Sequence, residues 1–351
     1  MKHTDQIAAA IAHRIDPGIS AAPEIRQLAR LPLVELAREF CRLDKRQAPA
    51  DDRDMLTQAL DPDNIRTAGG FGEAFGTALN QVLSFTFGGQ RPTWQKWARA
   101  VTAPALSAVL VSVEIGASAQ VPPGKAFPEA DVAAGEDGFS LAKYGMSLTV
   151  PIEWLLADDT GAIAAVLRAF TLEAGRVEDD RVYATLVSNP KLADGAALFS
   201  AARGNYAEGE TTDLAFGSLA AAIQAIRVMR GMKNNAGRLL GLRPAVLLVP
   251  GALETTARFV VAEMFHPGDP DTMHVVVEAR LDADSETAWY LIADPTQVDS
   301  IVIAHLAGAR NPDARQIPVR FETDGARFRL KHVVGASATV AYGILKRKGS
   351  A

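Results

Sequence analysis

Residues 176–205 read RVEDDRVYATLVSNPKLADGAALFSAARGN. Val177, Tyr183 and Leu186 extend an apolar stripe that begins with Ile163, Val166, Leu167 and Phe170. That spacing is helical, and Asn189-Pro190 stops it, because proline lacks the N–H and crowds the preceding turn. Upstream, Asp158, Asp159 and Thr160 offer N-caps, so the pattern predicts one helix over residues 158–188. At 1.5 Å per residue it would be about 45 Å long, a strut well beyond the usual three or four turns. The stretch after the stop, DGAALFSAARGNY at 194–206, holds an acid, a serine, an arginine and a Gly-Asn pair. It reads as an active site, a ligand clamp or a joint. Ser200 and Arg203 have no catalytic partners in view, which favours the joint. Leu198 and Phe199 are expected to plug the core where the strut ends, and Gly204 and Asn205 to supply a positive-φ turn.

Composition sets the frame. A chain of 351 residues with 48% hydrophobic and 22% charged residues is ordinary for a folded, soluble protein of two or three structural units. A net charge of −5 argues against a nucleic-acid surface spread over the whole molecule, while leaving room for a local basic face. The single Cys41 excludes an intrachain disulfide framework and a cysteine-rich zinc site. No apolar run of about 18 residues is present, so no transmembrane helix is expected. Asp5, Gln6, His13 and Arg14 interrupt the N-terminal segment, which is therefore not a secretory signal; synthesis in the cytosol is expected.

Before the strut, Ile7, Ile11 and Ile15 recur at a helical period that Asp16-Pro17-Gly18 ends. A second amphipathic stretch runs from Ile25 to Leu43 with a break at Pro32, and a charged linker follows at 45–54. Residues 1–60 are thus expected to be a small helical leader, loosely attached. Glycine pairs at 69–70 and 88–89 bracket an apolar helix around Phe75, Leu79, Val82 and Leu83. Trp94 and Trp97 follow on one helical face, as core anchors or as interface aromatics. Extended segments at 106–116 and 139–151 flank 22 residues rich in Pro, Gly and acids. A hairpin loop normally spans two to five residues, so this one reads as an arm that needs a partner to lie on. After the strut come a helix around Leu219 to Met229, a buried strand at 244–250 and a helix at 251–265. Three strands, at 273–281, 287–293 and 299–305, complete one α/β block over about 211–314. The tail from 319 to 347 reads as two antiparallel strands, with a turn at Asp324-Gly325 and a bend or bulge at Gly335.

The search for chemistry finds none. Asp179-Asp180, with Glu173 and Glu178, suggest metal ligands, but Arg176 lies at i,i+3 and i,i+4 spacing from Glu173 and Asp180, which makes a solvated or interface charge face the better reading. The six histidines (3, 13, 266, 274, 305 and 332) form no HExxH or i,i+4 pair. GASAQ at 116–120 departs from the nucleophile-elbow pattern, and GGFGEAFG at 69–76 lacks the strand and Lys-Ser/Thr ending of a phosphate loop. Lys233, Arg238 and Arg243 are too spread to clamp a phosphate and read as a polar surface loop.

In order, the chain offers a leader, an arm with a long acidic hairpin, a strut, an α/β block and a returning β-pair. TWQKWARAVTAPAL (93–106), LAKYGMSLTVPIEWLLADD (141–159), the opening stretch and RPAVLLVPGALETTAR (243–258) stand in that order. Together they resemble the major capsid protein of tailed bacteriophages, the Hong Kong 97-type fold, in the branch of Mu-like major head subunits. They are similar to the capsid half of proteins in which a ClpP-like prohead protease precedes the capsid part. The resemblance covers about residues 60–348. It implies an α+β subunit with a leader or delta-like segment (1–60), an N-arm (61–105) and an E-loop (106–151). A P-domain with the spine helix (152–210 and 315–348) and an A-domain (211–314) complete it.

The implied function is self-assembly into hexamers and pentamers of an icosahedral shell enclosing double-stranded phage DNA, in a virion assembled in the host cytoplasm. Implied partners are other copies of the chain, a portal, a prohead protease supplied from elsewhere and decoration proteins, with DNA held nonspecifically on an inner face of modest positive charge. No membrane, cofactor, metal or catalytic residue is implied. Candidate contacts between subunits are Lys125, Glu129, Asp131 and Glu136 of the arm, with Trp94 and Trp97. Some relatives cross-link an E-loop lysine to an asparagine; Lys125 is available, but no Asn follows Asn311, which predicts no cross-link. Relatives often carry histidines where Ser200 and Arg203 stand, so a histidine role does not carry over to this chain. An encapsulin-type nanocompartment or gene-transfer particle is the alternative, and an α/β enzyme centred on 211–314 a more distant one.

Overall fold

The computed structural model describes residues 3–43, 48–60, 70–115, 132–230, 238–266, 268–269, 271–317 and 325–350, with the backbone alone at 110–115, 132–137 and 325. The chain opens with five helices among the described residues: α1 (His3–Ile15), α2 (Pro23–Leu28), α3 (Leu33–Leu43), α4 (Asp52–Leu60) and α5 (Phe71–Gly88). Strands β1 (Arg99–Ala103), β2 (Ser107–Ile115), β3 (Val132–Ser140) and β4 (Ala142–Pro151) follow. Next come α6 (Ile152–Leu156), the long α7 (Thr160–Val187), β5 (Tyr206–Glu208), α8 (Phe216–Arg227), β6 (Pro244–Val249) and α9 (Glu254–Met264). The remainder is β7 (His274–Val277), β8 (Ala288–Ala293), β9 (Ile301–Leu306), β10 (Asp313–Ile317), β11 (Gly325–Ala338) and β12 (Ile344–Lys348). No described helix is long and apolar enough to cross a membrane.

Two compact units emerge. The first comprises Met1–Gln90, Lys143–Val177 and Gly308–Val333. Its core joins Ile7, Ile11 and Ile15 of α1 to Leu33, Leu36 and Phe40 of α3 and to Phe71, Phe75, Leu79 and Leu83 of α5. Ile163, Leu167 and Phe170 of α7 and Phe328 and Leu330 of β11 enter the same core. A run of rings spans it, with centroids 6.1 Å apart for Phe40–Phe71, 6.5 Å for Phe71–Phe75 and 5.6 Å for Phe75–Phe328. The leader is therefore not loosely attached. Its helices are too small to bury a core alone, and they complete this one instead. In the same unit β10 pairs antiparallel with β11, from Asp313↔Lys331 to Ile317↔Arg327. The Asn80 side chain brackets Ala314, donating to its carbonyl at 2.9 Å and accepting from its N–H at 2.6 Å.

The second unit comprises Arg91–Ala142, Glu178–Ala307 and Val334–Ala351. One sheet has the order β5-β12-β8-β6-β7, with β5–β12 and β6–β7 parallel and the two central pairs antiparallel. Helices α8 and α9 pack on it around Leu219, Ile226, Leu247, Val249, Ala257, Trp289, Leu291 and Leu345. The Trp289 indole donates to the Thr212 carbonyl at 2.8 Å, so its one polar atom is satisfied in the core.

Several sequence expectations are corrected here. Strand β9 does not extend the β6–β8 sheet; it pairs in parallel with β1 and antiparallel with residues 334–338 of β11. The block expected at 211–314 therefore mixes two sheets, which local apolar runs cannot distinguish. The partner of β2 is β3 at 132–140, through nine residue pairs from Ser107↔Ser140 to Ile115↔Val132, and not the segment 139–151. The strand β4 is separate and pairs with β11. Gly135, Gly138 and two alanines hid β3, since a two-stranded ribbon is held by its backbone ladder more than by side-chain pattern. The tail strands β11 and β12 do not pair with each other; β12 lies between β5 and β8. Gly335 is neither bend nor bulge: a Cβ there would stand 2.5 Å from the Ser140 carbonyl oxygen, so close backbone approach requires glycine. Asp324 lies outside the described residues.

Candidate functional site

Residues 189–205 build a joint at the end of α7. Asn189 takes φ +49°, one of two described non-glycine residues with positive φ. Its side-chain amide pairs with the backbone of Phe199 in both directions, accepting from the N–H at 2.6 Å and donating to the carbonyl at 3.0 Å. Lys191 and Ala197 form an antiparallel bridge inside the loop so closed. Leu198 and Phe199 are buried, and the Phe199 ring packs on Tyr290 with centroids 5.7 Å apart.

Ser200 and Arg203 work for the joint. The Ser200 hydroxyl accepts from the Arg203 N–H at 3.3 Å, and Gly204 closes that short turn at φ +71°. One Arg203 Nη donates to both Asp194 oxygens at 2.7 Å. Burial pushes the Asp194 carboxyl up, but the Ala196 N–H and the Arg203 guanidinium outweigh that and hold it below its ordinary range.

Asn205 differs from expectation. It does not share the positive φ of Gly204; only 1% exposed, it is a polar bracket. It accepts from the Ser200 N–H at 3.0 Å and donates to the carbonyls of Leu198 at 2.7 Å and Ala341 at 3.0 Å. Satisfying three backbone groups in a buried corner is what an amide side chain does well.

Just upstream lies a charge cluster. Glu178 is buried and hydrogen-bonds His305, with Oε1 and Nε2 2.7 Å apart. Arg280 donates through Nε to Asp180 and through Nη1 to Glu278 at 2.8 Å, and stands 3.9 Å from Asp179. The other Glu278 oxygen accepts from the Thr93 hydroxyl at 2.6 Å, which lies 2.8 Å from the Tyr183 hydroxyl; the Trp97 indole donates to that hydroxyl at 3.2 Å. Burial pushes the Asp179 carboxyl up to about 6 despite Arg280, with Glu278, Glu178 and Asp180 adding repulsion. Burial likewise raises the Tyr183 hydroxyl.

The expected solvated or interface charge face is thus not met at Glu178 and Asp179, whose side chains are 2% and 17% exposed. Arg176 does pair with Glu173, at 3.3 Å, but Asp180 turns to Arg280. Partners 100 and 127 residues away leave no trace in local spacing. Of the two readings for Trp94 and Trp97 the core anchor holds and the contact between subunits is corrected: they are 3% and 4% exposed within the subunit and leave no ring face for a neighbour. Lys125, Glu129 and Asp131 lie outside the described residues, as does the side chain of Glu136, whose backbone pairs with Val111. Arg238 and Arg243 are exposed, and Arg243 stands 3.9 Å from Asp271; Lys233 lies outside the described residues. Cys41 is buried in the first unit's core.

A long helix, a two-stranded ribbon and a helix-flanked sheet are the parts by which the fold is compared. The fold is similar to that of the holo-SrpI encapsulin complex from Synechococcus elongatus, with a TM-score of 0.50 at 10% identity over 74% of this chain and 87% of that one. A virus-like particle from Pyrococcus furiosus gives 0.45 at 13% identity over 77% and 97%. The capsid of Myoviridae phage XM1 gives 0.43 at 10% over 76% and 92%. No curated protein sequence matches the chain. The phage capsid protein family matches residues 135–346, more than half of the sequence, and the chain belongs to that family. It has the Hong Kong 97-type capsid fold that the sequence resemblance implied, and its role is structural, as a self-assembling capsid subunit.

Proposed function

We propose that the chain is the major head subunit of a tailed phage or prophage, closing as hexamers and pentamers around double-stranded DNA. The observation that carries this reading is the family match over residues 135–346, which runs from β3 through the spine helix and the helix-flanked sheet into β12. On this reading the β2–β3 ribbon and the residues between its strands are the E-loop, with Lys125, Glu129, Asp131 and Glu136 meeting a neighbouring copy; the spine helix belongs to the P-domain, and the sheet β5-β12-β8-β6-β7 with α8 and α9 is the A-domain. Assembly takes place in the host cytoplasm with a portal, a prohead protease and, in some shells, decoration proteins. Phosphate contact inside the shell is nonspecific and weakens with salt.

A nanocompartment is the second reading, favoured by the similarity to the encapsulin fold. The contents discriminate. Particles purified from cells carrying the intact genome should hold nuclease-protected DNA of uniform length. Particles holding a single protein cargo and no protected DNA would support the compartment instead.

A further inference from the structure

The leader and the start of the spine helix meet at one carboxylate. Asp158, between α6 and α7, sits at φ +56°, a left-handed conformation that a non-glycine residue keeps only where its surroundings enforce it. Its two oxygens accept from Arg14 through Nε, at 3.1 Å, and Nη2. The same carboxylate accepts from the backbone N–H of Leu33, the first residue of α3, at 3.0 Å. Arg14 Nη1 donates in turn to the Ala29 carbonyl at 2.9 Å. The sequence expectation that Asp158 caps its own helix is not met; Asp159 does that, accepting from the Ala162 N–H at 2.9 Å. Asp158 instead caps α3 from 125 residues away, where a negative charge complements the helix N-terminus, and it pairs with the cation in the last turn of α1. Behind this contact, Ile7, Ile11, Leu33, Leu36 and Phe40 are fully or almost fully buried in the core that α5 and α7 share.

We propose that Asp158 is a latch that locks the leader to the start of the spine helix, and that the leader is a permanent part of the subunit, retained in the assembled shell and not shed as a scaffold. The second half of this rests on the capsid reading; the latch does not. Losing α1 and α3 would strip the apolar faces of α5 and α6, a cost that a removable segment does not carry.

The latch is tested on the full chain by hydrogen exchange with Asp158→Gly and Asp158→Asn. Glycine takes φ +56° without strain, so any loss comes from the carboxylate; asparagine tolerates the same φ and can still accept from Leu33. In Asp158→Gly, exchange in residues 7–15 and 36–43 should rise at least tenfold, with Asp158→Asn intermediate and residues 246–249 of the second unit unchanged. Leader exchange equal to wild type in Asp158→Gly would overturn the latch. Retention is tested by intact-mass measurement of assembled particles: the mass should include residues 1–60, and stable shells lacking them would overturn it. A chain that forms no shells contradicts the capsid reading and leaves the exchange result to judge the latch alone.

Discussion

At Asp179 the carboxyl is held near pH 6 in the folded chain, above the ordinary value of 3.8. The folded state therefore binds a proton more tightly than the unfolded one. The stabilisation this gives is complete below about pH 4 and is lost as pH rises through about 6. Asp179→Asn should raise the melting temperature at pH 8 and change it little at pH 4; an equal shift at both would contradict this account. Asn205→Ala removes the partner of one N–H and two carbonyls in a buried corner, and should cost about 2 kcal/mol or more in urea unfolding. At this scale the sequence was legible where the cause was local. Leu198 and Phe199 were readable as core, and Gly204 as the turn. The preference of asparagine for positive φ misled at Asn205, because the fold uses that conformation at Asn189 and needs the Asn205 amide for bracketing. Glu278, Arg280 and His305 were illegible, since each finds its partner only through tertiary structure.

Among the elements, α7 was the most legible, expected at 158–188 and found at Thr160–Val187, because a long stripe, a capping acid and an Asn-Pro stop agree. Helices α1, α5 and α9 were likewise set by local period and glycine or proline punctuation. Pairing was the weak point. Strand β3 lacks a pattern of its own, and β9 carries an apolar run that fits either sheet of the second unit. Helix α3 was legible as an amphipathic stretch, but the core it packs into was not, since local propensity does not record tertiary partners. Gly335 in β11 offers an element-scale test. Gly335→Ala would drive a methyl to 2.5 Å from the Ser140 oxygen, and the strand must shift to admit it. The expected cost is about 1–3 kcal/mol by chemical denaturation. Wild-type stability in this variant would mean that the close approach is not maintained in solution.

For the whole molecule, the order of parts carried more information than any single part. A spine helix between a long hairpin and an α/β block gave the class, while an ordinary composition and a net charge of −5 excluded little. The grouping into units was less legible, because each unit gathers three separated segments of chain and the leader completes the first of them. A ribbon and a strut of this length offer surface to neighbouring copies, and symmetric association is the ordinary outlet for such surface. Electron microscopy of the purified full-length chain is the most direct test. Closed shells built of hexamers and pentamers are predicted; a persistent small monomer, with no shells, rings or tubes under any assembly condition, would contradict the account.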